Sequence, residues 1–384
     1  MTGAKSHLAA LDGFRALLAL WVYLGHLADA AGYSNGLLAR HALAVDLFMV
    51  LSGFLMVRTW KGDAVTLNVN ATSTTNFYLA RFFRIAPLYY FLLLACWFVL
   101  PTLSHMHNAA QQVIPPPWAT QIDHYQPNTA WTFDSLRWLW LHTTFLFGAI
   151  PGMESSTPLP DWSLSLEMQF YFVFPLILVI TRKAPIILVA TCTALLAWGA
   201  PGWFGNYLDP GSISHFGQPS FLPYRLNAFF AGMVVGIWDR KRHGPDHLRV
   251  GTVYAAACAA ICIAPLTKPV MLAFLIFVVL VSGQAPRVSK LFSLRPLRFV
   301  GDISYSIYLV HVLIIIPAMY LLVSIPSYLA WAPIIRFLVG LMITLPLVIL
   351  ISHLLYRLVE LPSIRIGRLL SNSTSELKSY PKNR

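Results

Sequence analysis

Two residues in one apolar run have the types and spacing to do chemistry together. Arg15 and His26 lie in LDGFRALLALWVYLGH, residues 11–26. Eleven steps at 3.6 residues per turn are about three full turns, so both side chains fall on one helix face, about 16 Å apart in rise. A guanidinium is suited to phosphate, and an imidazole to taking a proton from a hydroxyl. Both are costly inside a bilayer, which makes a functional role the default reading. Arg15 also has a local partner in Asp12, three residues away on the same face, and His26 could be a satisfied structural residue.

Five more residues belong with this pair. Asp46 in AVDLFMVLSGF and Glu167 in DWSLSLEMQFYFVFPL are carboxylates inside apolar runs. They are candidates to orient the imidazole or bind hydroxyls, or to pair with an arginine for structure alone. Arg81 and Arg84 precede another apolar run and add to a phosphate-binding surface, or act only as topology signals. His311 closes GDISYSIYLVH. His353 and Glu360 read as structural, and Gly53 and Gly301 as points of close helix approach.

These residues need membrane helices to hold them. Of 384 residues, 57% are hydrophobic and only 11% charged. A soluble chain carries about a quarter charged residues, so this is an integral membrane protein. There are 27 Lys+Arg against 15 Asp+Glu, a net charge of +12. The basic residues fall in short loops between apolar runs, which points to topology and anionic headgroups; no nucleic-acid partner is expected. Cys96, Cys192, Cys258 and Cys262 all lie in apolar runs and imply neither a disulfide framework nor a metal site.

The runs predict a bundle of about ten transmembrane helices, over 8–28, 42–60, 85–100, 162–181, 185–200, 222–238, 251–265, 270–282, 303–323 and 331–356. With both termini cytoplasmic, the basic loops at 58–84, 182–183, 239–249, 287–298 and from 357 all fall inside. A further apolar piece, 135–150, would reverse that pattern if it crossed. It reads instead as an interfacial or re-entrant helix in a long external segment. That segment also holds Pro115–Pro117 and His105, His107 and His124, expected as solvated loop residues. The first run is a retained span, not a cleaved leader. Residues 1–370 form one membrane domain and 371–384 a short, polar cytoplasmic tail. This topology puts His26, Asp46, Asp161 and Glu167 in the outer half and the arginines toward the cytoplasm, with His311 about one-third of the way up its helix.

Six segments occur in an order that resembles the acyltransferase 3 family of membrane-bound O-acyltransferases: LDGFRALLALWVYLGH, AVDLFMVLSGFLM, YLARFFRIAPLYY, DWSLSLEMQFYFVFPLI, FVGDISYSIYLVH and YRLVELPSIRIGRLL. The resemblance covers residues 11 to about 370. It implies that the family's first-helix arginine and histidine are Arg15 and His26, and that its paired arginines are Arg81 and Arg84. Its acidic residue after Trp-Ser is then Glu167, and its SYS-motif histidine is His311. The family often has two adjacent acidic residues where this chain has Glu167 followed by Met168. No appended hydrolase-like domain is visible, so direct transfer is expected.

The expected activity is transfer of an acyl group, most simply acetyl, from cytoplasmic acyl-CoA to a hydroxyl of a glycan or glycosylated small molecule. The setting is the bacterial inner membrane. Acyl-CoA would dock at Arg15, Arg81, Arg84 and His311, with His26 as general base; a covalent acyl-histidine is the variant route. No metal is expected, and the oligomeric state is open. The alternative is a secondary transporter or flippase for a polar substrate, disfavoured because the chain shows no paired halves or matching broken helices.

Overall fold

The computed structural model describes residues 2–60, 69–121, 127, 129, 131, 135–205, 216–241, 249–264 and 268–376. His124, the middle of the 239–249 loop and the tail from 377 lie outside them. Among the described residues the chain is all helical. The helices are α1 (Thr2–Ala30), α2 (Ala42–Thr59), α3 (Ala71–Val113), α4 (Leu136–Thr143), α5 (Trp162–Lys183), α6 (Ile186–Phe204), α7 (Leu226–Lys241) and α8 (Arg249–Ile263). They continue with α9 (Lys268–Ser282), α10 (Pro286–Phe292), α11 (Arg295–Asp302), α12 (Ser304–Val323), α13 (Pro326–Leu329), α14 (Pro333–Leu355) and α15 (Leu361–Glu376).

Six helical stretches are long and apolar enough to cross a membrane, or up to seven if α9 and α10, bent by 103° at their junction, count as one span. The expected ten are not reached by that measure. The expected first span, 8–28, lies on the 29-residue α1 but is not among the six, and those at 222–238, 251–265 and 270–282 correspond to helices of 16, 15 and 15 residues. Such helices are about 23 Å long, short of a hydrocarbon core of about 30 Å. Large apolar side chains nevertheless face outward on many elements, among them Phe98, Phe172, Trp198 and Met342, each over three-quarters exposed. A surface this apolar faces lipid, and the protein is a multi-pass membrane protein.

The third expected span is much longer than its apolar core. Asn70 caps α3 by accepting from the Ser73 amide (2.8 Å), and the Ser73 hydroxyl accepts from the Asn70 amide (3.1 Å). This capping box starts the helix four turns before the apolar run at 85. Arg81 and Arg84 therefore sit on a formed helix, not in a loop. At the other end α3 runs through Pro101 to Val113, so His105 and His107 are helical, correcting their reading as loop residues. The piece at 135–150 does not cross: α4 has eight residues, about 12 Å.

Glycines set the tightest contacts. A Cβ on Gly53 of α2 would lie 2.0 Å from the Phe229 carbonyl oxygen of α7, and one on Gly232 would lie 1.8 Å from that of Val50. α1 is held in the same way: a Cβ on Gly13 would meet the Phe292 carbonyl oxygen at 1.8 Å, and one on Gly301 that of Asp12 at 2.1 Å. Backbone-to-backbone approach of this kind replaces the hydrophobic effect, which lipid does not supply between helices.

Candidate active site

α1 runs unbroken past both Arg15 and His26, and the two residues open into different cavities. The arginine cavity, about 290 Å³, is lined by Arg15, Arg81, Arg84, Glu167, Tyr171 and Tyr308, among others. The histidine cavity, about 610 Å³, is lined by His26, Asp29, His41, His107, Gln111 and Trp118, among others.

Local partners hold each cation of the first cavity. Arg15 lies 3.9 Å from Asp12, the (i, i+3) pair open from the sequence. Arg81 donates to the Thr59 hydroxyl at 2.8 Å, and its guanidinium stands 5.5 Å from the Tyr171 ring centroid. Arg84 lies 3.7 Å from Glu360. Glu360 is buried, and its second oxygen accepts from Ser306 at 2.9 Å. A π-helical turn, Tyr356–Glu360, joins α14 to α15 and delivers this carboxylate. Such one-residue insertions re-aim side chains and recur at functional sites. Three arginines in one partly apolar cavity are suited to a polyanion.

Glu167 is in this cavity and not beside His26. It accepts from Ser52 and from Tyr171 (2.5 Å). The expectation that it sits in the outer half with the histidine is corrected by helix rise: six residues past Asp161, it is about 9 Å further along α5. Asp46 also lies elsewhere. Its carboxylate accepts from Arg225 Nε at 2.6 Å, and no hydrogen bond or ion pair joins it to His26. Arg225, alone in an apolar stretch, needs a counter-charge, but nothing in the sequence names Asp46 as that partner.

His311 moves the other way. Expected among the donor-binding residues, it is fully buried, with its ring 5.2 Å from that of His26. Its Nδ1 is 2.9 Å from the Ile307 carbonyl, the geometry of a donated N–H, and its Nε2 has no partner. Ring contacts link the two cavities across this point. Phe48 and Tyr308 are 6.1 Å apart, Tyr308 and His311 6.1 Å, His311 and His26 5.2 Å, and His26 and His41 4.5 Å. Phe48 and Tyr308 line the first cavity, and His26 and His41 the second. His26 makes no hydrogen bond to a described residue, so its nitrogens are available to a ligand.

A separate polar cluster fixes the start of α5. Tyr89 Oη donates to Asp161 (3.1 Å) and lies 2.8 Å from His142 Nδ1. His142 Nε2 is 2.8 Å from Ser156 Oγ, and Thr157 donates to Asp161 at 2.9 Å. His142 Nδ1 and Asp161 are only 3.6 Å apart, yet burial disfavours charge on both. It raises the Asp161 carboxyl to about 7 and lowers the His142 imidazole to about 3. With the imidazole uncharged at neutral pH, the contact is part of a hydrogen-bonded network and not an ion pair. It fastens α4 and α5 to α3.

The acyltransferase domain family model matches residues 8–353 of the chain. The chain belongs to the acyltransferase 3 family. It is by that membership an O-acyltransferase. Among curated relatives of this family, it is 30% identical to "Putative membrane-bound transacylase BcsY" of Komagataeibacter xylinus, over 81% of this chain and 74% of that one. It is 24% identical to peptidoglycan O-acetyltransferase OatA of Listeria monocytogenes, over 80% of this chain. It is also 24% identical to acyltransferase MdmB of Streptomyces mycarofaciens, over 80% of this chain and 79% of that protein. The chain spans about half the length of OatA (49%). No solved structure matches.

Proposed function

We propose that the protein transfers an acyl group, most simply acetyl, from cytoplasmic acyl-CoA to a hydroxyl of a glycan or glycosylated acceptor on the other side of a bacterial inner membrane. The observation that carries this reading is the placement of Arg15 and His26, on one helix face, in two different cavities. Three arginines offer sites for the phosphates of CoA. An extended pantetheine arm is of the length needed to run along α1 toward His26. The relatives' names favour a carbohydrate acceptor: OatA is named for peptidoglycan O-acetylation.

In the reaction, neutral His26 takes the proton of the acceptor hydroxyl as that oxygen attacks the thioester carbonyl. The new ester C–O bond forms, the C–S bond breaks, and the CoA thiolate takes that proton back from the His26 imidazolium, restoring the neutral base before free CoA leaves toward the arginine cavity. His311 acts through His26, packing against it within the wall between the cavities. Glu167 belongs with the arginine cavity, where Ser52 and Tyr171 hold its carboxylate.

The decisive experiment is thioester cleavage by the purified protein in detergent, with acetyl-CoA and a soluble glycan acceptor. An acyltransferase consumes acetyl-CoA there and produces an acetylated glycan. A transporter, which needs two compartments, does not, and failure of both signals across a panel of acyl-CoA donors overturns the reading.

A further inference from the structure

His26, Asp29 and His41 bring their ligand atoms within 4.8 Å of one another at the histidine cavity. We propose that these three side chains bind one divalent transition cation of the zinc class, leaving coordination positions open to the cavity.

Four observations support a built site. First, the donor set is two imidazoles and a carboxylate, a set that zinc takes up with an open fourth position. At Zn–N and Zn–O distances of about 2.0–2.2 Å, tetrahedral ligand atoms lie roughly 3.3–3.6 Å apart. Second, Asp29 is one helical turn beyond His26 on α1, so the first two ligands are fixed relative to each other by the helix itself. Third, His41 Nδ1 is 3.0 Å from the Leu38 carbonyl. Donating there puts the proton on Nδ1 and frees the Nε2 lone pair, the arrangement that metal-bound histidines commonly show. Fourth, His41 reaches α1 only because residue 25 is glycine: a Cβ there would lie 2.3 Å from His41 Cγ and 2.4 Å from its Nδ1. The fully buried His311 stands beside His26 with an unpartnered Nε2, one more nitrogen within a short movement of the cluster.

One consequence rests on the proposed role of His26 as base. A metal on its lone pair leaves it unable to accept the acceptor's proton, so the metal-bound form is a resting state and a chelator activates it.

The test uses untagged, chelator-stripped full-length protein in detergent, titrated with Co²⁺ as a spectroscopic stand-in for zinc. The expected result is a visible d–d absorption band that saturates at one equivalent and is displaced by Zn²⁺. Asp29→Asn and His41→Ala should each weaken Co²⁺ binding by at least about tenfold, with thermal unfolding near that of the parent. Asp29→Asn keeps shape and volume, so it stands as the reading if His41→Ala fails to fold. The absence of the band in the parent, or unchanged affinity in a folded Asp29→Asn protein, overturns the site. Acyl transfer is measured in the same samples. Co²⁺ binding that is lost in the variants but leaves transfer uninhibited supports the metal site and instead removes His26 as the base.

Discussion

His311 and His26 stand ring to ring at 5.2 Å on two different helices, with a tilt of 37° between their planes. His311 holds the Ile307 carbonyl with one nitrogen and has no partner for the other. The contact puts it beside the proposed base, and it does not line the arginine cavity. His311→Ala should therefore lower kcat while leaving KM for acyl-CoA near the parent value. Steady-state kinetics with varied acetyl-CoA separate the two; a KM rise with normal kcat would return His311 to donor binding.

His26→Ala should remove about two to four orders of magnitude from turnover, the usual worth of a positioned general base. Its nitrogens bond to no described residue, so folding should be little affected. Turnover and thermal unfolding of the purified variant check both halves. A folded variant with near-normal turnover excludes the assignment.

Arg15→Ala and Arg84→Ala should each raise KM for acyl-CoA about tenfold or more, the loss of one hydrogen bond between charged groups. If phosphates meet these guanidinium groups, added salt should raise the parent's KM in the same direction by screening the attraction. An unchanged KM for Arg15→Ala would leave only its pairing with Asp12.

Asp46 and Arg225 form a largely buried pair at 2.6 Å. Removing either charge alone strands the other, at a cost of about 3–5 kcal/mol, and a double apolar replacement should recover most of that. Thermal unfolding of Asp46→Leu, Arg225→Met and the double variant tests the expectation. If Asp46→Leu instead keeps its stability and loses kcat, Asp46 serves the chemistry.

The Asp161–His142 network predicts an unusual pH profile. Asp161, raised from 3.8 to about 7 in the fold, stabilises fully below 3.8 and loses that contribution as pH rises through 7. His142, lowered from 6.5 to about 3, stabilises fully above 6.5 and loses its contribution as pH falls through 3. Between roughly pH 4 and 6 the two slopes oppose each other. His142→Phe should expose the Asp161 slope alone, with stability falling by about 1.4 kcal/mol per pH unit as pH rises. Unfolding measured at pH 4, 5 and 6 reads it directly.

Much of this site was legible as spacing. Three turns of helix place Arg15 and His26 on one face whatever surrounds them, and charge along the chain set Arg81 and Arg84 with Arg15. Depth was less legible. Glu167 was assigned by the end of its run, but a helix carries each residue inward by its rise, and six residues decided which cavity it reached. Partners far apart in the chain were not legible at all. Nothing near Asp46 announces Arg225, and nothing near Glu360 announces the π turn that aims it at Arg84. His41 follows a short 3₁₀ turn, Leu38–Arg40, and reaches His26 by chain reversal. Asp29 had a local signal, one turn from His26, that only gained meaning once His41 arrived.

The glycine contacts of α1 bear on how anything could move through the protein. At one end Gly13 sits on the backbone of α10 and the Asp12 carbonyl sits under Gly301; at the other, Gly25 is covered by His41. A helix clamped at both ends by atoms already in contact has no slack for sliding or rotation. α1 is a fixed rail, not a piston. Under the proposed reaction the acyl group would then be carried by the donor alone, and the reach of the transfer would be set by the length of the donor's own arm.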